Sequence, residues 1–587
     1  MVYGGSTLDG LRIPLDDGRS GRQRRRRNRM LFCVGVLVMG GVGVVFVRSL
    51  RSLEGAYTSA SPGVSQAAQE SSAIASRHFP DQVLKAMDLA ADPCSDFYTY
   101  ACGTFQEITH VEGDQNEWAR SWSGVSARNN ELLREVVETD RGLAGDFYRS
   151  CMNMSALNAI GNAPIQPYRR KLDKLKSCAA RVPFERFHKD HERKCGIATL
   201  QPLIVDWHMI DIKVFFDWSV EVNPHEPNAY ALNLMQDGIT LPDPKWYFSG
   251  TAEAERRVAG LQKVAEEVLQ LAGEDAAAAK EDAANVIKFE RELARLFKDA
   301  EHERAATQGV YSLAEVQELS PALGLKAVLT ALAGPFKVNL EHTSILIRNP
   351  DYFRGVTTLL HKTPASHLRA YLLFRLAFIL GADLGDAFLD VGQQLQKMVV
   401  GQEHRVPRWY KCFNSVNHAL PDYVGKIFVQ RYFSIDILEE ANKMLDNMRR
   451  VFEEELLALP WLDAVSKQEA TYKLHAMFFS IGFPPHWADY KGLVLSGDFI
   501  QDGDRLYKWY IHHAFARLSR PVERNRWGTA SPAMVDAFYS YDKNGIFVPA
   551  GILQKPFFST TYRAARNYGA IGTILGHEMT HGFDDQV

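Results

Sequence analysis

Apolar residues in "AEAERRVAGLQKVAEEVLQLAG" (252–273) recur at three- and four-residue steps, which predicts an amphipathic helix. The stretches 281–304 and 436–459 repeat the pattern, with charged residues between the apolar ones as solvated faces. From about residue 94 onward the chain reads as mostly helical, with no repeat period and no sustained heptads. Strand character comes late. "AMVDAFYSYDKNGIFVPAG" (533–551) has two apolar stretches around Asp542-Lys543-Asn544-Gly545. Asn-Gly supplies the positive backbone angles of a tight turn, so a hairpin is expected there. A helical stretch from about 564 to 582 follows it. The pattern is that of a mainly α chain with a small β component.

At 587 residues the chain is too long for one compact core, so two or more domains are expected. A composition of 46% hydrophobic and 23% charged residues is ordinary for a globular protein. A net charge of -3 argues against a general affinity for nucleic acid. The N-terminus changes the picture. Residues 1–29 hold eight Arg against three Asp and read as a basic cytoplasmic tail. Residues 30–47, "MLFCVGVLVMGGVGVVFV", carry no charge and read as a transmembrane signal anchor. Arginines on its N-terminal side place the rest of the chain outside the cytoplasm. A cleaved signal peptide is the competing reading, and it leads to the same oxidising compartment. Residues 48–91, rich in Ser, Ala and Gly, read as a stalk. Six cysteines lie beyond the anchor: Cys94, Cys102, Cys151, Cys178, Cys195 and Cys412. Spacing alone assigns no pairs. Asn153-Met154-Ser155 is a glycosylation sequon in a topology that permits its use.

The chemistry gathers in "GHEMTHGFDDQV" (576–587). Residues four apart on a helix share a face, so His577 and His581 can offer both imidazoles to one metal ion. Glu578, next along, can take a proton from water and pass it to a leaving amine. That pattern points to a zinc hydrolase, although two histidines a turn apart also occur as ordinary half-buried residues. The following residues lack the Gly and third His of the longer H-x-x-G-x-x-H form, so a third ligand has to be a carboxylate from further on. Asp584 and Asp585 read either as the end of the helix after Gly582 or, for Asp584, as a carboxylate that orients a histidine.

"AMVDAFYSYDKNGIFVPAGILQKPFF" followed by "NYGAIGTILGHEMTHGFDD" resembles the neprilysin and endothelin-converting enzyme family of zinc metallopeptidases. The likeness extends upstream through "DPCSDFYTYACGTF", "FYRSCMNMSAL", "GITLPDPKWYF", "PRWYKCFNSVNHAL" and "WLDAVSKQEATYKL", and covers about residues 92–587. It implies a mostly helical, two-lobed ectodomain around an enclosed cavity, with a thermolysin-like HExxH catalytic lobe that is incomplete at the C-terminus. Residues 92–485 would form the lid lobe and the start of the catalytic lobe. Residues 486–587 would form the N-terminal part of the zinc lobe. By motif position, His577 and His581 would hold one Zn2+ and Glu578 would be the catalytic base. Asp536 and Ala537 fall where the family binds substrate backbone. Ile552, Phe557, Thr573 and Ile574 fall where it lines the pocket after the cleaved bond. Cys151 and Cys412 match positions that the family joins by a disulfide, whereas Cys94 and Cys102 match positions whose mates would lie beyond Val587.

Three departures accompany the likeness. The family's third ligand, a downstream Glu with a supporting Asp, would lie beyond Val587. So would its later His and Arg, which stabilise the oxyanion and hold substrate. Asp536 stands where the family has Asn; an amide donates and accepts, whereas an ionised carboxylate only accepts. The resemblance implies a zinc metalloendopeptidase of extracellular peptides, anchored as a single-pass type II protein in the plasma membrane or a secretory-pathway membrane. The expectation is a chain truncated in its catalytic lobe and impaired by the missing ligand. The alternative is an inactive ectodomain that binds peptides or pairs, as homo- or heterodimer, through Cys94 and Cys102.

Overall fold

The computed structural model describes residues 81–119, 122–179 and 197–584. The expected tail at 1–29, the anchor at 30–47 and most of the stalk lie outside the described residues, as does Cys195. Among the described residues no helix is long and apolar enough to cross a membrane. The chain divides into two compact units, one of Glu112–Arg449 and residues from Glu469 on, the other of residues up to Val111 with Arg450–Gln468.

In the smaller unit α1 (Phe97–Ile108) starts where the Asp96 carboxylate accepts the Thr99 N–H, satisfying a donor that the helix cannot. The Thr104 hydroxyl donates to the Met87 carbonyl at 2.7 Å and ties α1 to the preceding turn. Cys94 is exposed and Cys102 half-buried, and neither is in a disulfide among the described residues.

In the larger unit the elements that position the site are, in chain order, α2 (Trp122–Thr139), α3 (Leu143–Met152), β1 (Phe216–Asn223), β2 (Glu226–Gln236), α4 (Ala252–Leu271), α5 (Ala276–Ala294), β3 (Gly309–Tyr311), β4 (Ile345–Ile347), α6 (Ala365–Gly381), α7 (Arg408–Ala419), β5 (Phe478–Gly482), α8 (Phe499–Arg517), β6 (Phe538–Ser540), β7 (Gly545–Pro549), α9 (Ala564–Gly569) and α10 (Ile571–Thr580). α4 follows its periodic stretch, capped by Thr251 and burying Ala254, Val258, Leu261, Ala265 and Val268. The 436–459 stretch likewise folds as helix Ile435–Ala458.

The stretch 281–304 departs from the expected single helix. α5 ends at Ala294 and a short helix, Ala300–Arg304, starts under an Asp299 cap. The Gln236 side chain at the end of β2 causes the break. It accepts the Lys298 N–H at 3.0 Å and donates to the Lys298 carbonyl at 2.7 Å, taking backbone groups that a continuous helix would use. α6 is buried on nearly every side. Its Arg369 is matched by Asp173 at 2.6 Å and Glu274 at 2.7 Å.

Strands also occur earlier than the sequence reading placed them. A four-stranded sheet of order β1-β2-β4-β3 lies in the first half of the unit, with β2 and β4 parallel. Its signal is in the sequence: Phe216, Trp218, Val220 and Val222 alternate and bury one face of β1. In a second apolar cluster Cys151 on α3 is joined to Cys412 on α7, both without exposure, among Phe147, Phe413 and Val416. The second sheet has the order β5-β7-β6. Its central strand β7 is buried along its whole length, so β6 is left as an edge.

Candidate metal centre

The motif helix is shorter than expected. Ala570, at φ -111 and ψ -94, interrupts the stretch read as one helix from 564 to 582. The result is α9, then α10, then a 3-10 turn, His581–Phe583. Asn567 explains the break. It is buried, accepts the Ser559 N–H at 3.2 Å and donates to the Ser559 carbonyl at 2.9 Å, so α9 is pinned to the loop after β7. The Ile571 N–H that opens α10 then donates to the Phe557 carbonyl at 3.2 Å.

His577 lies in the last turn of α10 and His581 just beyond it, still at helical φ -59 and ψ -24. The four-residue spacing therefore survives, and the two Nε2 atoms are 3.0 Å apart. Leu575 and Met579 face the core with no exposure, which turns the histidines outward. Glu578 is 6% exposed, and its Oε2 accepts the Tyr539 N–H of β6 at 2.8 Å. Helix and sheet edge thus share a bond at the carboxylate. Burial pushes the Glu578 carboxyl up to about 8, with the Tyr539 amide acting against it and Asp536 with it. Partial burial first, and the neighbouring His581 second, hold the His577 imidazole below its ordinary value, which favours the neutral form that a metal ligand needs. His581 Nδ1 lies 2.7 Å from Asp584 Oδ2, which also accepts the Tyr541 hydroxyl at 2.7 Å.

The group fits zinc. Ligand atoms of His577, Glu578 and His581 lie within 4.8 Å of one another, and it is the one such cluster among the described residues. Two Zn–N bonds at a tetrahedral angle hold their nitrogens roughly 3.3 Å apart, close to the separation seen here. The Asp584 contact at Nδ1 leaves Nε2 facing His577, as a histidine ligand requires.

The other expected site residues are placed as follows. Asp536 is half-buried before β6, its Oδ1 accepting the next N–H, of Ala537, at 2.9 Å, and burial raises its carboxyl above the usual range. Ala537, Ile552 and Phe557 are buried, Ile574 is half-buried and Thr573 is exposed. Gly551, just before Ile552, lets the backbone pass close to Pro532 and Ala533, its N–H donating to the Pro532 carbonyl at 2.9 Å. A Cβ there would meet the Ala533 carbonyl oxygen at 2.2 Å, and the Gly551 carbonyl accepts from buried Asn129 at 2.8 Å. Phe557 packs edge-on against Trp122, centroids 5.0 Å apart. His577, Glu578, His581 and Asp584 form one bonded group with the β6–β7 hairpin, and Ile552, Phe557, Thr573 and Ile574 stand outside that bonded group. Asn153 is exposed and caps its own helix, accepting from Ala156 N at 3.2 Å. The sequence reading missed the Tyr539 amide and the Tyr541 hydroxyl; the first is backbone and carries no residue signal, and the second is marked only by a tyrosine at the start of the hairpin turn.

Sequence profiles of peptidase family M13 match residues 93–484 and 536–587. Endothelin-converting enzyme 1 of Rattus norvegicus is 27% identical over 523 residues, which cover 86% of this chain and 66% of that protein. Neprilysin-11 of Caenorhabditis elegans is 30% identical over 544 residues, covering 87% of this chain and 62% of that one. The chain thus spans less than two thirds of the length of both relatives. The zinc metalloprotease Zmp1 of Mycobacterium tuberculosis, solved with an inhibitor, superposes with a TM-score of 0.76 at 22% identity, over 86% of this chain and 74% of that one. PepO of Lactobacillus rhamnosis gives 0.74 at 21% identity, over 84% and 77%. These two likenesses establish the fold.

Proposed function

The chain belongs to peptidase family M13, and from that premise we propose that it is a zinc metalloendopeptidase of the neprilysin type acting on extracellular peptides. The observation that supports the reading most is the pair of Nε2 atoms 3.0 Å apart beside a buried Glu578 tied to the sheet edge. His577 and His581 would hold the ion. Zinc supplies Lewis acidity there, bringing the pKa of water toward about 7 and polarising a carbonyl. Glu578, steadied by the Tyr539 N–H and held ionised once a cation beside it offsets the burial that raises its carboxyl, would take a proton from the attacking water and give it to the leaving amine. Edge strand β6 offers backbone to an extended peptide, with Asp536 and Ala537 at its entry. The uncharged run at 30–47 would anchor the chain as a type II membrane protein.

Among the described residues the cluster holds two imidazoles and one carboxylate reserved for proton transfer. The test is hydrolysis of a quenched peptide by a preparation that carries the downstream carboxylate which the family resemblance implies, with and without chelator and with Glu578→Gln. Loss in both cases, by about 100-fold or more for Glu578→Gln, is expected; turnover that survives either treatment overturns the reading. A second reading, an ectodomain that pairs without turnover, draws on the exposed Cys94 thiol. It predicts a reducible dimer on electrophoresis, and a monomer without free thiols counts against it.

A further inference from the structure

The hairpin turn does more than join β6 to β7. It occupies Tyr541 to Asn544, and three side chains fix it from different directions. The Arg524 guanidinium donates to the Lys543 carbonyl at 2.6 Å, the Lys543 ammonium donates to the Arg526 carbonyl at 3.1 Å, and the Asn544 amide donates to the Lys473 carbonyl at 3.0 Å. The Tyr541 ring leaves this frame edge-on against Tyr539, centroids 5.1 Å apart, and its hydroxyl reaches the end of the motif helix. There it donates to Asp584 Oδ2 at 2.7 Å and lies 3.1 Å from His581 Nδ1, which itself lies 2.7 Å from the same carboxylate oxygen. Three polar atoms from the turn, the 3-10 segment and its end thus form a closed triangle on the side of His581 away from His577.

We propose that Tyr541 is a positioning residue of the metal centre: its hydroxyl holds Asp584 in place, and through it aims His581 Nε2 at the ion. The inference rests on reading the cluster as a zinc site. A metal-binding imidazole is oriented by the partner of its other nitrogen, and that partner works only if its own rotamer is fixed. Asp584 follows the 3-10 turn directly, and the Oδ2 atom that lies beside His581 Nδ1 is the one that accepts the Tyr541 hydroxyl. Tyr541, carried by a braced turn, fixes that oxygen beside His581 Nδ1. The role makes no use of the Tyr541 proton in the reaction, so it is distinct from that of Glu578.

The test is zinc titration of the full chain against a chromophoric chelator, for the parent, Tyr541→Phe, Asp584→Asn and the double variant. Phe keeps the ring against Tyr539 and removes only the hydroxyl. Each single variant should bind zinc about tenfold more weakly, the lower end of what such partners contribute. The double variant should bind no more weakly than Asp584→Asn alone, because the hydroxyl acts through the carboxylate. Tyr541→Phe within about twofold of a zinc-binding parent, or losses that multiply in the double variant, overturn the inference alone. A parent that binds no zinc overturns both the inference and the reading beneath it. The unfolding midpoint of the metal-free protein should be the same for parent and Tyr541→Phe; a fall that tracks the zinc loss assigns Tyr541 to folding and overturns the proposal.

Discussion

His208 ends helix Ile197–His208 with no exposure, its ring stacked 4.5 Å from Phe216, and neither ring nitrogen has a hydrogen-bond partner. Burial, then the Lys213 ammonium, hold it well below the usual histidine range; the Val214 backbone, outside hydrogen-bond geometry, acts weakly the other way. The unfolded imidazole therefore takes a proton below its ordinary value near 6.5 that the folded one refuses. Stability falls as pH falls through that window, by up to about 1.4 kcal/mol per pH unit from this group. His208→Phe should flatten the pH dependence of denaturant midpoints below about pH 6.5, and an unchanged slope would contradict this origin. At Asp536 the issue is donor capacity. Asp536→Asn adds an amide N–H where a substrate carbonyl is proposed to lie. KM for a quenched peptide should fall about two- to tenfold with kcat nearly constant, the range of one hydrogen bond. An unmoved KM would remove Asp536 from the substrate path.

The β6–β7 hairpin shows how an element can be foreseen while its parts are misassigned. Both Asn544 and Gly545 were expected to supply positive backbone angles, but Asn544 alone does, at φ 49, and Gly545 already begins β7. The glycine serves a different need: a Cβ there would come within 2.3 Å of the Phe478 ring on β5, the strand it pairs with. Gly545→Ala should therefore destabilise by about 1–3 kcal/mol through overpacking, read as a lower denaturant midpoint, and should loosen the Tyr539 anchor of Glu578. α4 was legible because its apolar spacing is a property of one continuous segment. The interruption after α5 was not, because its cause, Gln236, is 62 residues away from Lys298 in sequence. The sheet β1-β2-β4-β3 lies between: β1 alternates visibly, but its pairing with β2 and the parallel pairing of β2 with β4 bring distant segments together.

Across the larger unit, the Cys151–Cys412 bond closes a span of 261 residues and holds α3 to α7 inside an apolar cluster. A cross-link over so long a span restricts the unfolded chain strongly. Replacing both cysteines by Ala should lower stability by about 2–5 kcal/mol, measured by chemical denaturation without reductant. A change within error would mean that the cluster holds α3 to α7 unaided. The pairing was reached from a family resemblance, since six cysteines by themselves assign no bonds. The same resemblance, and no local pattern, is what implies a pocket at Ile552, Phe557, Thr573 and Ile574.

Spacing along a single segment was enough to announce the chemistry: a period of 3.6 residues places His577, Glu578 and His581 side by side whatever surrounds them, and it equally marks α4 and helix Ile435–Ala458. Bonds across the fold are of another kind. Tyr539 reaches Glu578 over 39 residues, and Tyr541 reaches His581 over 40, only because an edge strand is laid against a helix that Asn567 has broken and re-aimed. Nothing local to either segment encodes that contact; it arises where β6, at the edge of its sheet, lies against α10 and the Tyr539 N–H meets the buried Glu578 carboxylate.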